Sequence, residues 1–233
     1  MKTLIKNGYL ITMEDETVQK DGYVIVEDEK ILAVGSGKAP QDAYDKVIDA
    51  DEALILPGFI NTHTHTGMGI FRGYADDLPL MEWLETKIFP MEDQWTAERL
   101  YHAAMFDILE MIQSGTTCFL SMYMFNYAAA KAILESGIRG ILGRGTSGIG
   151  PDEKHRQVFD EIRDLYKNYH MAGHGRLQIW IGPHACYTCP PGYLEKVAAL
   201  AGELNTGVTI HISESQRFHA IIFQASLNLT LAF

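Results

Sequence analysis

The strongest constraint on the fold lies downstream of Pro57-Gly58, where short apolar runs of strand character begin to alternate with longer segments of helical period. The runs Leu54 to Thr62, Thr116 to Met122, Gly140 to Gly145, Leu177 to Pro183 and Val208 to Ile212 read as strands. Between them, Ala97 to Gln113, Tyr127 to Glu135, Asp152 to Tyr169 and Tyr193 to Leu204 read as helices, the first two closed by Gly115 and Gly137. Strand-helix alternation of this kind builds a parallel sheet with helices packed on it. A closed (β/α)8 barrel takes eight units and about 250 residues. Only about five units can be counted, so the expectation is an incomplete TIM barrel over residues 57–216.

Ahead of it, residues 1–56 carry short alternating runs separated by Asp21-Gly22 and Gly35-Ser36-Gly37. They read as a small antiparallel β unit, the N-terminal segment of a β-sandwich that leans on something else, because about 50 residues rarely bury enough surface alone. Gly35-Ser36-Gly37-Lys38 is not a phosphate loop, since Leu32 stands where that motif needs glycine. Residues 217–233 have no charge, glycine or proline after Arg217 and read as an apolar tail.

The formal net charge of -11 argues against nucleic acid as partner, because phosphate contacts require Lys and Arg. A small molecule is the better expectation. No apolar stretch approaches the ~20 residues of a membrane span, and Met1 to Asp15 lacks the core of a secretory signal, so the chain reads as cytoplasmic. Cys118, Cys186 and Cys189 form no disulfide framework, and Cys186-Tyr187-Thr188-Cys189, with two prolines following and no second pair, reads as ordinary loop thiols.

The chemistry concentrates in histidines. His63 and His65 stand two apart at the end of an apolar strand, so the period of the pleat turns both imidazoles to one face. His211 ends another apolar run, and three imidazole nitrogens with a carboxylate would leave a metal a position open for water. Glu214 follows three residues later; strict alternation would turn it away from His211, so the strand must end or bulge if its carboxylate is to join them.

Pro57-Gly58-Phe59-Ile60-Asn61-Thr62-His63-Thr64-His65, with its apolar lead-in and preceding β unit, resembles the signature of the amidohydrolase superfamily. Val208-Thr209-Ile210-His211-Ile212-Ser213-Glu214-Ser215 is similar to that superfamily's fifth-strand metal segment. The resemblance runs from residue 1 to about Gln216 and is closest to the deaminases of 5-methylthioadenosine and S-adenosylhomocysteine. It implies hydrolytic deamination of an adenosine thioether, with His63, His65 and His211 on a divalent metal and Glu214 as proton shuttle. Zinc is the expected ion, and iron or manganese suit the same ligands. Trp83, Glu92, Arg144, Arg156 and His184 fall where those deaminases keep substrate contacts: Glu92 for the ribose, Trp83 for the thioether side, His184 for the purine, and the two arginines for an amino-acid carboxylate. Arg156 has an alternative as a partner of Asp152 or Asp160. Guanine or cytosine deamination and triazine hydrolysis are the neighbouring activities.

The resembling enzymes also use a histidine after the sixth strand and an aspartate after the eighth. The reading stops before either, which implies an inactive fragment with open barrel edges that invite aggregation or pairing with another copy.

Overall fold

The computed structural model describes residues 1–214, so the reading of residues 217–233 as an apolar tail falls outside the described residues. The chain divides into two compact units, Met1–Gly58 and the part from Phe59 onward.

The first unit is one five-stranded sheet. β1 (Lys2–Leu10), β2 (Gln19–Glu27) and β3 (Lys30–Ser36) form an antiparallel meander, with Asp28 at φ 52° in the tight turn between β2 and β3. β4 (Lys46–Asp49) and β5 (Leu54–Ile55) return along the other side of β1 and pair with it in parallel. The expected all-antiparallel unit is therefore corrected to a mixed sheet. Alternation buries Leu4, Leu10 and Val24, while Ile31, Leu32 and Val34 stay exposed.

The second unit holds a parallel sheet in the order β6 (Phe59–Thr64), β7 (Thr116–Tyr123), β8 (Arg139–Thr146), β9 (Leu177–Pro183). The run from Leu54 to Thr62 is thus two strands in two sheets, broken at Pro57, which has no N–H for a ladder. The fifth strand is reduced to bridges at Val208 and His211, held by hydrogen bonds from Thr209 N to Ile181 O (3.0 Å) and from His211 N to His184 O (2.9 Å).

Before the first long helix lies a segment that the periodicity did not reveal. α1 (Leu80–Trp83), a π turn (Leu84–Ile88) and α2 (Phe89–Glu92) run on without a break. Pro90 cannot donate to the carbonyl of residue 86 and crowds it, and the helix widens just ahead of it. Then follow α3 (Ala97–Gln113), α4 (Asn126–Ser136), α5 (Asp152–Tyr169), the short α6 (Ala172–Gly175) and α7 (Pro191–Leu204). Thr96 caps α3 by accepting from Arg99 N at 3.2 Å, and Gly137, at φ 81°, ends α4 in the left-handed region. Ile108 of α3, Ile133 of α4 and Leu165 of α5 close over Phe119, Leu142 and Ile179 of the sheet in one dry cluster. That core fixes the carboxyl ends of the strands, where the histidines lie. Among the described residues no helix is long and apolar enough to cross a membrane.

Candidate metal centre and its cavity

β6 ends at Thr64, between the two histidines, and the chain after them is tied down by a run of hydrogen bonds. Thr66 N–H donates to Ser121 Oγ at 3.0 Å. Gly67 takes φ 112°, and its N–H donates to Asp107 Oδ2 at 2.6 Å, as does that of Gly69 at 3.3 Å. Asp107 sits on the buried stripe of α3, 7% exposed, and burial pushes its carboxyl above the ordinary range while the Gly67 N–H pulls it back. A Cβ at residue 69 would stand 2.0 Å from Asp107 Oδ1, so any side chain there would push Asp107 out of its place. Asp107→Ala would leave one buried and one part-buried N–H without an acceptor. It is expected to cost about 2–3 kcal/mol, read as a lowered urea midpoint at unchanged m-value, with Asp107→Asn losing less because one acceptor oxygen remains.

With the loop held, the rings of His63 and His65 lie 5.0 Å apart, and each is 5.1 Å from His211. One nitrogen from each of the three falls within 4.8 Å of the others, a grouping able to hold a metal ion. His65 Nδ1 meets Met122 O at 2.6 Å and His211 Nδ1 meets His184 O at 2.8 Å. A carbonyl accepts only, so both Nδ1 atoms are protonated and both Nε2 atoms offer lone pairs. Burial holds His63 and His65 below the ordinary imidazole pKa, with repulsion from His211 adding to it and, at His65, the hydrogen bond to Met122 O opposing it; the direction favours the neutral form a cation needs. The donor set, its geometry and its protonation fit a divalent ion.

The chain leaves the sheet after His211, and Ser213 turns it through φ 58°. Glu214 is thereby brought into the wall of the same cavity, with Tyr187 beside it; burial first, then the Glu214 charge, pushes the Tyr187 phenol up.

That cavity, about 1170 Å³, gathers His63, His65, His211, Glu214, Trp83, Glu92, Arg144 and His184. Arg144 lies in its wall with its fork engaged: Nε and one terminal nitrogen donate to the two carboxylate oxygens of Glu161 at 3.1 and 3.0 Å, and the other donates to the Gly145 carbonyl. Arg156 is not brought there. It is exposed on α5, whose Lys154 and His155 line the cavity instead. The buried residues of α5 are His155, Ile162 and Leu165, and residue 156 is turned about 100° from residue 155 at 3.6 residues per turn.

Tyr123 is a residue the sequence reading missed, though the last position of a barrel strand is where such groups are found. Its hydroxyl accepts from Trp95 Nε1 at 2.9 Å and donates to Glu92 Oε1 at 2.8 Å. Burial raises the Glu92 carboxyl above its ordinary pKa against the pull of that hydrogen bond. A carboxyl raised in the folded state holds its proton there longer than in the unfolded chain. The term is therefore destabilising once the pH climbs through and past the ordinary carboxylate range. Glu92→Gln keeps the acceptor for Tyr123 and should flatten the loss of stability above that range, with an unchanged or higher melting temperature at pH 8 and little change at pH 4, checked by thermal melts across pH.

A parallel βα sheet of incomplete circumference, with a histidine trio at the carboxyl rim of its strands, defines a barrel protein with a place for a metal. The chain belongs to the amidohydrolase family, whose sequence model matches residues 54–225. It is 44% identical over 217 residues to a 5-methylthioadenosine/S-adenosylhomocysteine deaminase of Syntrophomonas wolfei subsp. wolfei, covering 93% of this chain and 50% of that protein. A protein of the same description from Thermoanaerobacter pseudethanolicus is 41% identical over 218 residues, again with 93% and 50% covered. Among solved structures, a zinc-bound adenosine deaminase of Xanthomonas campestris superposes with a TM-score of 0.83 at 29% identity over 92% of this chain and 50% of that one. A guanine deaminase of C. acetobutylicum gives the same TM-score at 21% identity, a likeness of fold, over 98% and 57%. The chain spans about half the length of the curated relatives it matches.

Proposed function

We propose that this chain supplies the first half of the active site of a metal-dependent deaminase acting on an adenosine thioether, S-adenosylhomocysteine or 5-methylthioadenosine, to give the inosyl product and ammonia. The observation that carries the reading is the convergence of the three imidazoles within 4.8 Å, two of them fixed by carbonyls with their lone pairs outward. The 44% identity to a deaminase of those substrates supports the substrate class.

A divalent cation, zinc in the first instance, would be held by His63, His65 and His211 and supplies Lewis acidity that brings the pKa of water toward neutrality. Glu214 takes one proton from the attacking water and gives it to the ring nitrogen, then takes the second from the hydroxyl so formed and gives it to the departing amine, so that water is consumed as ammonia leaves. Glu92, held by Tyr123, accepts from the ribose hydroxyls. Trp83 offers an apolar face to the thioether, and His184 donates to the purine. Arg144, its fork already on Glu161, bears on the amino-acid end alone, which methylthioadenosine lacks, and Arg156, exposed outside the cavity wall, is given no substrate contact.

The remaining catalytic groups would come from the length that the relatives have and this chain does not. The test is ammonia release by zinc-loaded protein extended to that length, offered both thioethers, adenosine, guanine and cytosine. The expected result is a preference of more than about tenfold for the thioethers, a difference one well-placed apolar pocket supplies. Faster turnover of guanine or cytosine would reject the substrate class.

A further inference from the structure

Three of the four clustered histidines have their Nδ1 atoms engaged, and their partners differ in kind. His65 and His211 face backbone carbonyls, which fixes the proton on Nδ1. His184 faces a hydroxyl: its Nδ1 lies 3.1 Å from Thr188 Oγ1, and a hydroxyl can either donate or accept. Which it does follows from the surrounding hydrogen bonds.

Thr188 stands inside the Cys186-Tyr187-Thr188-Cys189 turn that directly follows His184 and Ala185. Its Oγ1 accepts from Ala185 N–H at 3.1 Å. Its proton has two strong acceptors at the same distance of 3.1 Å, Ala185 O and His184 Nδ1, and a weak one at 3.8 Å, Cys189 Sγ. The Ala185 carbonyl already accepts the N–H of Thr188 at 3.1 Å and that of Cys189 at 2.9 Å, which uses both of its lone pairs. The imidazole nitrogen has one lone pair and no other donor among the described hydrogen bonds. The proton goes to the ring.

We infer that Thr188 is a positioning residue that sets His184 in the tautomer with its proton on Nε2, so that the cavity wall presents one N–H donor beside two imidazoles presenting lone pairs. The division of labour among three like side chains is thus written in what stands behind each. Carbonyls behind His65 and His211 make them cation ligands; a hydroxyl behind His184 makes it a hydrogen-bond donor. His184 therefore selects a ligand atom that accepts, such as an unprotonated ring nitrogen or a carbonyl oxygen, and is kept off the metal although its ring is 5.3 Å from that of His211. This deepens the deaminase reading and rests on it only for the identity of the accepting atom, a purine nitrogen.

The test needs no substrate. Long-range 1H–15N correlation spectra of the 15N-labelled chain at pH 8, where an ordinary imidazole is neutral, separate protonated from lone-pair nitrogens for each ring. The expected result is His184 protonated at Nε2, His65 and His211 protonated at Nδ1, and zinc shifting the Nε2 signals of His65 and His211 and a ring nitrogen of His63 while leaving His184 Nε2 where it was. A hydrogen bond of ordinary net strength biases the tautomers by about tenfold. Thr188→Val should remove that bias, and Thr188→Ser should restore it. A merely structural Thr188 would change the melting temperature of Thr188→Val and leave the tautomer where it was, which overturns the inference. So would a His184 proton on Nδ1 in the unsubstituted chain, or a zinc-induced shift of His184 Nε2. Should Thr188→Val fail to fold, the unsubstituted and Thr188→Ser spectra decide alone. Failure of the substrate panel would leave these spectra as predicted, so the two readings fall separately.

Discussion

Replacing any one of His63, His65 or His211 by alanine is expected to lower the zinc affinity of the chain by more than about 100-fold, since removing even the group behind a metal ligand costs about 10- to 100-fold. The three differ in how they are held. His65 and His211 are pinned through Nδ1, whereas the backbone N–H of His63 is tied to Asn61 Oδ1 at 3.2 Å and its side chain is exposed. Loss of His65 also removes a contact to the Met122 carbonyl, so His65→Ala should lower the melting temperature as well, while His63→Ala should leave it nearly unchanged. Competition with a chromogenic chelator measures the affinity. His102→Ala, an exposed histidine on α3, is the control. Equal zinc affinity in the three variants and the unsubstituted chain would remove the metal centre from the account.

Much of this arrangement could be read from residues alone, for identifiable reasons. α3, α5 and β9 fall where the periodicity put them, because each is a single uninterrupted period bounded by a cap, a glycine or a proline. The segment 80–92 escaped because Pro90 argues against a helix, and the widened turn that accommodates it leaves no regular stripe. β4 and β5 were misjudged because short strands carry no mark of direction; parallel pairing with β1 depends on where the chain crosses back. At the site, the period of two sufficed to set His63 and His65 on one face. The distance from β6 to residue 211, by contrast, is a product of how the sheet curves across four strands. Arg156 failed to reach the cavity for a reason the sequence did contain, since it lies off the stripe of His155, Ile162 and Leu165. Asp107 left a signal too: a lone carboxylate among Ala103, Ala104, Ile108 and Met111 demands a buried partner, and the Gly67 and Gly69 amides are that partner.

Glu214 is where sequence and structure meet most closely on mechanism. The pleat alone would have turned it away from His211, and the left-handed Ser213 removes that objection by ending the extended run one residue earlier. The carboxylate then stands in the wall with the histidine trio, close enough for its charge to oppose the depression of the His63 and His184 pKa values. A group so placed can carry a proton between water and a ring without ligating the cation. Glu214→Gln keeps the shape and removes that capacity. In zinc-loaded protein of the relatives' length it is expected to lower kcat by about 10²- to 10⁴-fold, the usual worth of a positioned acid-base group, with KM for the thioether and zinc affinity changed only a few-fold. A variant that instead loses zinc would make Glu214 a ligand. One that keeps its kcat would place the proton transfer on another residue.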